Sequence, residues 1–398
     1  MAVCSATRCS TVRSTRSDVV NVERNERVLA ELVRDVAREQ GAARVAICAA
    51  DVSHETFAAL AASFARGDLA TWGFDETYAA KASDPATLLP NARSVICVAI
   101  PYAVATSDAR PRGVALAGRV SNYAWSHDYH RHVRAVLETI ATALDRAAGQ
   151  PVTRIVCDTA PLAERAFARR AGLGWIGKHT NLIAPGLGSF IFLGEIVTTL
   201  ALAPDAPLKK TCGSCTRCVV ACPTGALRGD YTIDATRCIS DLTQRTDAIP
   251  RALRPLVGDW VWGCDLCGLA CPPTRAARPD VHPALRPVDA AAAAPSLLDL
   301  LAMRSATFKR RYRATAMGWR GAAVLRRNAA VALGNARDRA TVPALARALD
   351  RDPQPLVRGH VAWALGRIGS PAARLALASR AGTETDPSVL EEIAAALA

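Results

Sequence analysis

Eight cysteines between Cys212 and Cys271 have the spacing to do redox chemistry. Cys212, Cys215, Cys218 and Cys222 form C-x2-C-x2-C-x3-C-P, Cys264, Cys267 and Cys271 repeat its last part, and Cys238 supplies an eighth thiol. This is the bacterial iron–sulfur spacing. A two-residue gap lets three thiolates wrap one corner of a cubane, with the intervening N–H groups facing its sulfurs. The fourth cysteine of each run lies one turn too far away and serves the other cluster. The pattern therefore assigns one 4Fe–4S cluster to Cys212, Cys215, Cys218 and Cys271, and a second to Cys222, Cys238, Cys264 and Cys267. Pro223 and Pro272 then turn the chain away from each cluster. Zinc sites usually pair two C-x2-C knuckles and lack the third cysteine and the C-P. A disulfide framework suits a short secreted chain, whereas this one has 398 residues.

Such clusters need a scaffold, and the composition supports one. The length suggests two or three domains, and 50% hydrophobic residues is ample for packed cores. No apolar run approaches the roughly 18 residues of a membrane helix. The first stretch, MAVCSATRCSTVRSTRSD, has no apolar segment of the secretory kind. It is expected to form a disordered tail over residues 1–20, with no role for Cys4 and Cys9. Oxygen-sensitive clusters in a thiol-rich chain point to the cytoplasm. A net charge of +13 favours a polyanionic partner, most simply nucleic acid.

Residues 21–205 alternate strand and helix patterns, so an α/β sandwich with a mixed sheet is expected. Three buried strands are predicted over ARVAICAAD, RSVICVAIPY and TRIVCDT, with amphipathic helices between them and two further strands in TNLIAPGLGSFIFLGEIVT. Asp158 falls at the carboxyl end of the third strand, where α/β folds bind ligands. An aspartate before a helix is equally a cap. The tract AGLGWIGKHTNLI is glycine-dense and carries Lys178, His179 and Asn181, and its glycines permit close backbone approach to a ligand. No G-x-G-x-x-G follows the first strand, so nicotinamide binding is not supported. In SNYAWSHDYHRHV, Tyr123, Trp125, His127, Tyr129 and His130 either line a flat cofactor's pocket or form an ordinary helix start at Asp128.

Residues 206–285 form the two-cluster, ferredoxin-like domain, and residues 286–398 an all-α end. There VLRRNAAVALGN realigns with LVRGHVAWALGR at an offset of 32, the mark of stacked helical hairpins of HEAT type. The preceding MRSATFKRRYRATAMGWRGAAVLRR carries eight basic residues and no acidic ones. Lys309, Arg310, Arg311, Arg326 and Arg327 are its candidate phosphate contacts, with Tyr312 and Trp319 interleaved for base stacking.

With these residues placed, the chain resembles the epoxyqueuosine reductases, cobalamin-dependent iron–sulfur enzymes of tRNA queuosine synthesis. The resemblance rests on DPATLLPNARSVI, YAWSHDYH, CDTAPLAERAFARRAGLGWIGKHTNLI, GSFIFLGE, both cysteine tracts, LRPLVGDWVWGCDLC and FKRRYRATAMGWRG. It implies a fold related to reductive dehalogenases and a base-off cobalamin reduced through the nearer cluster. It implies reduction of epoxyqueuosine to queuosine at a tRNA wobble base, with Asp158 as proton donor. An acid working at neutral pH needs a raised pKa, which burial against a corrin face supplies. By motif position the resemblance also implies cobalamin contacts from Ser121, Tyr123, Asp158, Asn181, Ser189 and Asp265. It implies a separate reductant such as a flavodoxin or ferredoxin, and a monomer is expected. The chain departs from the family pattern at Thr77, Asp241, Gln244–Arg245, Gly268 and Pro273–Thr274. The alternatives are another corrinoid-dependent, dehalogenase-like reductase and a non-catalytic ferredoxin-type module with a nucleic-acid-binding tail.

Overall fold

The strand–helix alternation of the first half is realised in a computed structural model that describes residues 16–103, 116–278 and 280–398. Cys4, Cys9 and most of the expected tail lie outside the described residues, as does the Gly/Arg/Pro-rich stretch 104–115. The elements run α1 (Arg16–Glu39), β1 (Arg44–Ala49), α2 (His54–Ala65), α3 (Glu76–Ser83), β2 (Ser94–Pro101), β3 (Arg119–Val120), α4 (Tyr129–Ala148), β4 (Thr153–Val156), α5 (Glu164–Arg170), β5 (Trp175–Ile176), β6 (Leu182–Ile183) and β7 (Ile191–Thr198). Helix α1 thus starts inside the stretch expected as tail.

Four strands pair in the order β1-β2-β7-β4, and every adjacent pair is antiparallel. The expected mixed sheet is therefore corrected. Strands β2 and β4 do run in the same direction, as a connection through the single long helix α4 requires. Strand β7 inserts between them and opposes both. All eight residues of β2 are buried, the pattern of a strand covered on both faces. On one face Ile47, Ile96, Val98 and Ile196 meet Ala30, Val33 and Ala37 of α1 and Val133, Leu137 and Ile140 of α4. On the other, Cys48, Cys97 and Val197 meet Phe167 and Ala168 of α5. Gly149, in the left-handed region at φ 71°, ends α4 as expected.

The cysteine segment is built of short pieces: α6 (Arg217–Val220), α7 (Ile239–Gln244), α8 (Arg254–Val257), β8 (Trp260–Trp262), α9 (Leu266–Ala270) and α10 (Pro272–Ala276). Helices α6 and α9 each occupy the gap before the fourth cysteine of a run, which is why that thiol sits a turn away. Strand β8 pairs in parallel with β3, tying the segment to the sandwich.

The C-terminal part holds α11 (Leu297–Leu301), α12 (Ser305–Tyr312), α13 (Ala322–Ala336), α14 (Val342–Arg351), α15 (Pro355–Ile368), α16 (Pro371–Ala381) and α17 (Pro387–Leu397). Helices α13, α15 and α17 pack in series, with α14 and α16 between them in sequence. The offset of 32 has a physical content. Gly334 and Gly366 are equivalent, and a Cβ on either would come within 2.7 Å of Trp363 or Ala396 on the next helix. Arg326 reaches Asp352 at 2.6 Å, and its equivalent Arg358 reaches Glu384 at 2.8 Å. Each repeat therefore carries the same buried bidentate ion pair. No helix among the described residues is long and apolar enough to cross a membrane.

Candidate active site

The eight cysteines are free of disulfides. Burial is the main force raising the buried thiols, and the neighbour charges reveal who sits with whom. Cys218 responds to Cys212 and Cys271, and Cys271 responds to Cys212 and Cys215. Cys238 responds to Cys222, Cys264 to Cys238 and Cys267, and Cys267 to Cys238 and Cys222. These couplings fall into the two sets expected from spacing. Cys267 also feels Cys218, so the sets are adjacent. Among the described residues no three His, Cys, Asp or Glu converge closely enough for a single metal ion, the arrangement zinc needs. Two adjacent, half-buried sets of facing thiols fit larger cationic cores that would bind them as thiolates.

Asp158 follows β4 with φ +59°, a left-handed conformation rare outside glycine. Its backbone N–H donates to Glu164 Oε1 at 2.7 Å, which holds the turn. It is not the helix cap: the N-cap of α5 is Ala163. The carboxylate instead turns toward α4, where Tyr129 donates to Oδ2 at 3.1 Å and His130 Nε2 lies 3.5 Å away. Its side chain is 59% exposed. The His130 imidazole, with Tyr129 and Arg165 adding, holds the Asp158 carboxyl below its ordinary range. The raised pKa expected for this group is therefore corrected for the protein by itself. The group that is raised is His130, to about 9, by Asp128 first and then Asp158.

Three residues in this site escaped the sequence reading. Glu164 is one. Arg165 is the second, donating to Thr180 O at 2.8 Å and Asn181 Oδ1 at 3.4 Å, which ties the glycine-dense tract to the Asp158 turn. Glu195 is the third: it is fully buried on β7 opposite Val156, and burial beside Glu164 raises its carboxyl strongly. The signal for the first two stood in the tract PLAER, directly after Asp158.

The other expected contacts fall around an aromatic floor. Tyr129 stacks on Phe192 at 4.0 Å, Phe192 on Tyr102 at 4.4 Å, and Tyr102 on Phe190 at 5.7 Å. Tyr123 meets Tyr129 edge-on at 6.5 Å. The Tyr123 hydroxyl donates to Gln244 at 3.1 Å and accepts from Trp262 at 2.9 Å. Ser121 donates to Asp265 Oδ1 at 2.5 Å, and Asn122 N–H donates to Oδ2 at 2.7 Å, while burial pushes Asp265 up to about 6. Ser189 bonds Thr274 at 2.9 Å. Ser121, Asp265 and Ser189 are thus engaged with the protein itself. Asn181 N–H donates to His179 Nδ1 at 3.2 Å.

Two departures explain themselves. A Cβ at Gly268 would lie 2.4 Å from the Phe190 ring, so the ring fills the place of a side chain. Thr274 supplies the hydroxyl that Ser189 needs. Thr77 lies exposed on α3.

The basic strip divides. Lys309, Arg310 and Arg311 are exposed on α12. Arg326 and Arg327, expected beside them, are corrected. Arg326 is buried in its ion pair with Asp352. Arg327 is 0% exposed and donates to the carbonyls of Leu242 at 2.8 Å, Arg245 at 2.7 Å and Asp247 at 2.7 Å. A cation on the last carbonyls of a helix is favourable, and here it docks α13 on α7.

This geometry has close counterparts. The model of the epoxyqueuosine reductase QueG family matches residues 83–159, that of the 4Fe-4S double cluster binding domain residues 211–274, and that of HEAT repeats residues 321–398. The epoxyqueuosine reductase of Bacillus subtilis is 36% identical over 301 residues, covering 75% of this chain and 78% of that protein. The chain belongs to the epoxyqueuosine reductase family. A crystal structure of an epoxyqueuosine reductase with an epoxyqueuosine-modified tRNA-Tyr stem loop superposes with a TM-score of 0.87 at 32% identity, covering 93% of this chain and 98% of that one. The Bacillus subtilis epoxyqueuosine reductase with its catalytic aspartate loop swung out of the active site matches equally, at TM-score 0.87, 32% identity and the same 93% and 98% coverage. The epoxyqueuosine reductase match over 83–159 takes in β2, α4 and β4 and ends just past Asp158.

Proposed function

We propose that the protein reduces epoxyqueuosine to queuosine at the wobble position of tRNA, with Asp158 delivering a proton to the departing oxygen. One observation carries the reading. The chain superposes over 93% of its length on an epoxyqueuosine reductase solved with its modified tRNA stem loop. A relative whose catalytic aspartate loop swings out of the active site supports a mobile turn at Asp158 as well.

The overall change takes two electrons and two protons, and the oxygen leaves as water. Two 4Fe–4S clusters, held by the two cysteine sets, would supply single electrons, and a cobalamin held over the aromatic floor would supply the centre at which the carbon–oxygen bond is reduced. The aromatic floor of Tyr129, Phe192, Tyr102 and Phe190 suits one face of a flat macrocycle, with Ser121, Tyr123, Asn181, Ser189 and Asp265 around it. His130 keeps a proton at neutral pH, 3.5 Å from the Asp158 carboxylate. With Asp158 ionised the pair holds one proton, on His130, and Asp158 relays it to the departing oxygen. Glu164 holds the backbone turn that presents Asp158, and Arg165 holds the neighbouring tract. Lys309, Arg310 and Arg311 contact tRNA phosphates. Electrons enter from an external low-potential donor of flavodoxin or ferredoxin type, the enzyme acts as a monomer, and a cytoplasmic location suits a tRNA substrate.

The test is anaerobic reconstitution with iron, sulfide and cobalamin, followed by a chemical reductant and tRNA bearing epoxyqueuosine. Nucleoside mass spectrometry is expected to find queuosine. Asp158→Asn is expected to keep the cluster and cobalamin spectra and lose turnover. Absence of queuosine from the fully loaded wild type overturns the function, and wild-type turnover in Asp158→Asn overturns the acid.

A further inference from the structure

A cleft of about 460 Å³ opens between Thr71–Trp72, the end of α7 and Arg320, lined among others by Asp241, Arg245 and Asp247. Nothing in the reductive chemistry uses it. Asp241 is only 7% exposed. Its Oδ1 accepts from Thr71 Oγ1 at 2.9 Å and from Trp72 Nε1 at 2.8 Å. Its buried Oδ2 has no hydrogen-bond partner among the described residues, the Arg245 guanidinium standing off at 3.9 Å. Arg320 Nε is buried and likewise lacks an acceptor. Leaving such buried groups unpaired is costly, more so where they are charged. The cleft thus holds an unmet acceptor and an unmet donor.

Aromatic faces flank them. Trp72 and Trp319 come from opposite ends of the chain and lie 6.1 Å apart, 21° from parallel. They remain 41% and 53% exposed. The Arg320 guanidinium covers Trp319 at 3.7 Å, and Phe74 and Tyr78 continue the ladder beyond Trp72 at 6.4 Å and 4.1 Å. Exposed indoles beside unmet polar groups match a flat heteroaromatic ring whose edge carries a donor next to an acceptor. That is the hydrogen-bonding edge of a nucleobase, an amino group beside a ring nitrogen or an imide N–H beside a carbonyl. Unpaired loop bases in RNA are bound in this way, by stacking and by hydrogen bonds to their edges.

We infer that this cleft binds a base of the RNA loop other than the one being reduced, stacked on Trp72 and Trp319 and bonded by Asp241 and Arg320. The inference rests on the tRNA reading above and deepens it. Helix α7 joins the two places: Asp241 lines the cleft, while Gln244 holds Tyr123, which meets Tyr129 beside Asp158.

The experiment measures affinity for a synthetic anticodon stem-loop RNA, and for versions in which each loop nucleotide in turn lacks its base. Wild type is expected to lose about tenfold in affinity at one position outside the wobble base, the scale of a single stacked base. Asp241→Asn and Trp319→Leu are expected to bind the intact RNA more weakly by a similar factor and to ignore that missing base. Trp319 is exposed, so its variant stays folded even if Asp241→Asn does not. Arg310→Ala, on the strip, is expected to bind more weakly yet keep the sensitivity. A wild-type profile in both cleft variants overturns the inference while leaving the tRNA reading intact. A wild type that binds no stem-loop overturns the tRNA reading, and this inference with it.

Discussion

His130 stands between Asp128, 2.7 Å away, and Asp158, 3.5 Å away, and its charge belongs to both contacts. Its pKa rises from 6.5 to about 9 on folding. The folded state therefore binds this proton more tightly than the unfolded chain. The stabilisation is complete below pH 6.5 and is lost as pH rises through about 9. His130→Gln is expected to lower the melting temperature most at pH 6, with the gap from wild type closing by pH 10. A gap that stays constant from pH 6 to pH 10 would show that the imidazole is neutral. Asp158 was legible in the sequence because the strand-to-helix junction and the following PLAER mark it. Its partners were not, because α4, α5 and β7 meet there only in three dimensions. The pKa shift went the other way for the same reason: the nearest charge is a cation carried by another helix.

Helix α13 shows what a run of basic residues in a sequence does and does not say. Charge counts in MRSATFKRRYRATAMGWRGAAVLRR carry no information about facing. Helix α12 is amphipathic and turns Lys309, Arg310 and Arg311 outward, whereas α13 is enclosed by α11, α15 and α7. Two separable outcomes are expected. Arg310→Ala with Arg311→Ala should leave the melting temperature alone and reduce the salt slope of RNA binding by about 2, near 0.9 per phosphate contact. Arg327→Met should leave three carbonyls without their donor and cost roughly 3 kcal/mol or more of stability. Chemical denaturation distinguishes the two, and an unaltered midpoint for Arg327→Met would contradict its docking role. The repeat itself was legible at its offset of 32. Its meaning came from the close approaches at Gly334 and Gly366 and the paired arginines.

Across the molecule, the order of parts was readable because each carries its own periodicity: strand and helix, cysteine runs, then hairpins. The direction of the sheet was not, since no local pattern tells that β7 inserts between β2 and β4. The cysteine segment has little regular structure of its own and is braced by β3 on one side and α13 on the other. Such a segment draws its folding energy from its ligands. Removal of iron by a chelator under anaerobic conditions is expected to make residues 206–285 the first site of proteolytic cleavage while 322–398 resists. Cleavage beginning in the helical repeats instead would show that the segment stands without its clusters.

The pairing of β3 with β8 sets more than the seam between two parts. Ser121 follows β3 directly, and Gly263 and Cys264 follow β8, so the register Val120↔Trp262 fixes where Asp265 meets Ser121. Electron tunnelling weakens steeply with each added ångström. A strand ladder cannot drift by fractions of a residue; it holds its register or slips by a whole step. The span between the second set of thiols and the aromatic floor is therefore set in whole steps by the backbone hydrogen bonds of this pairing, with the irregularity between Arg119 and Val120 part of its register.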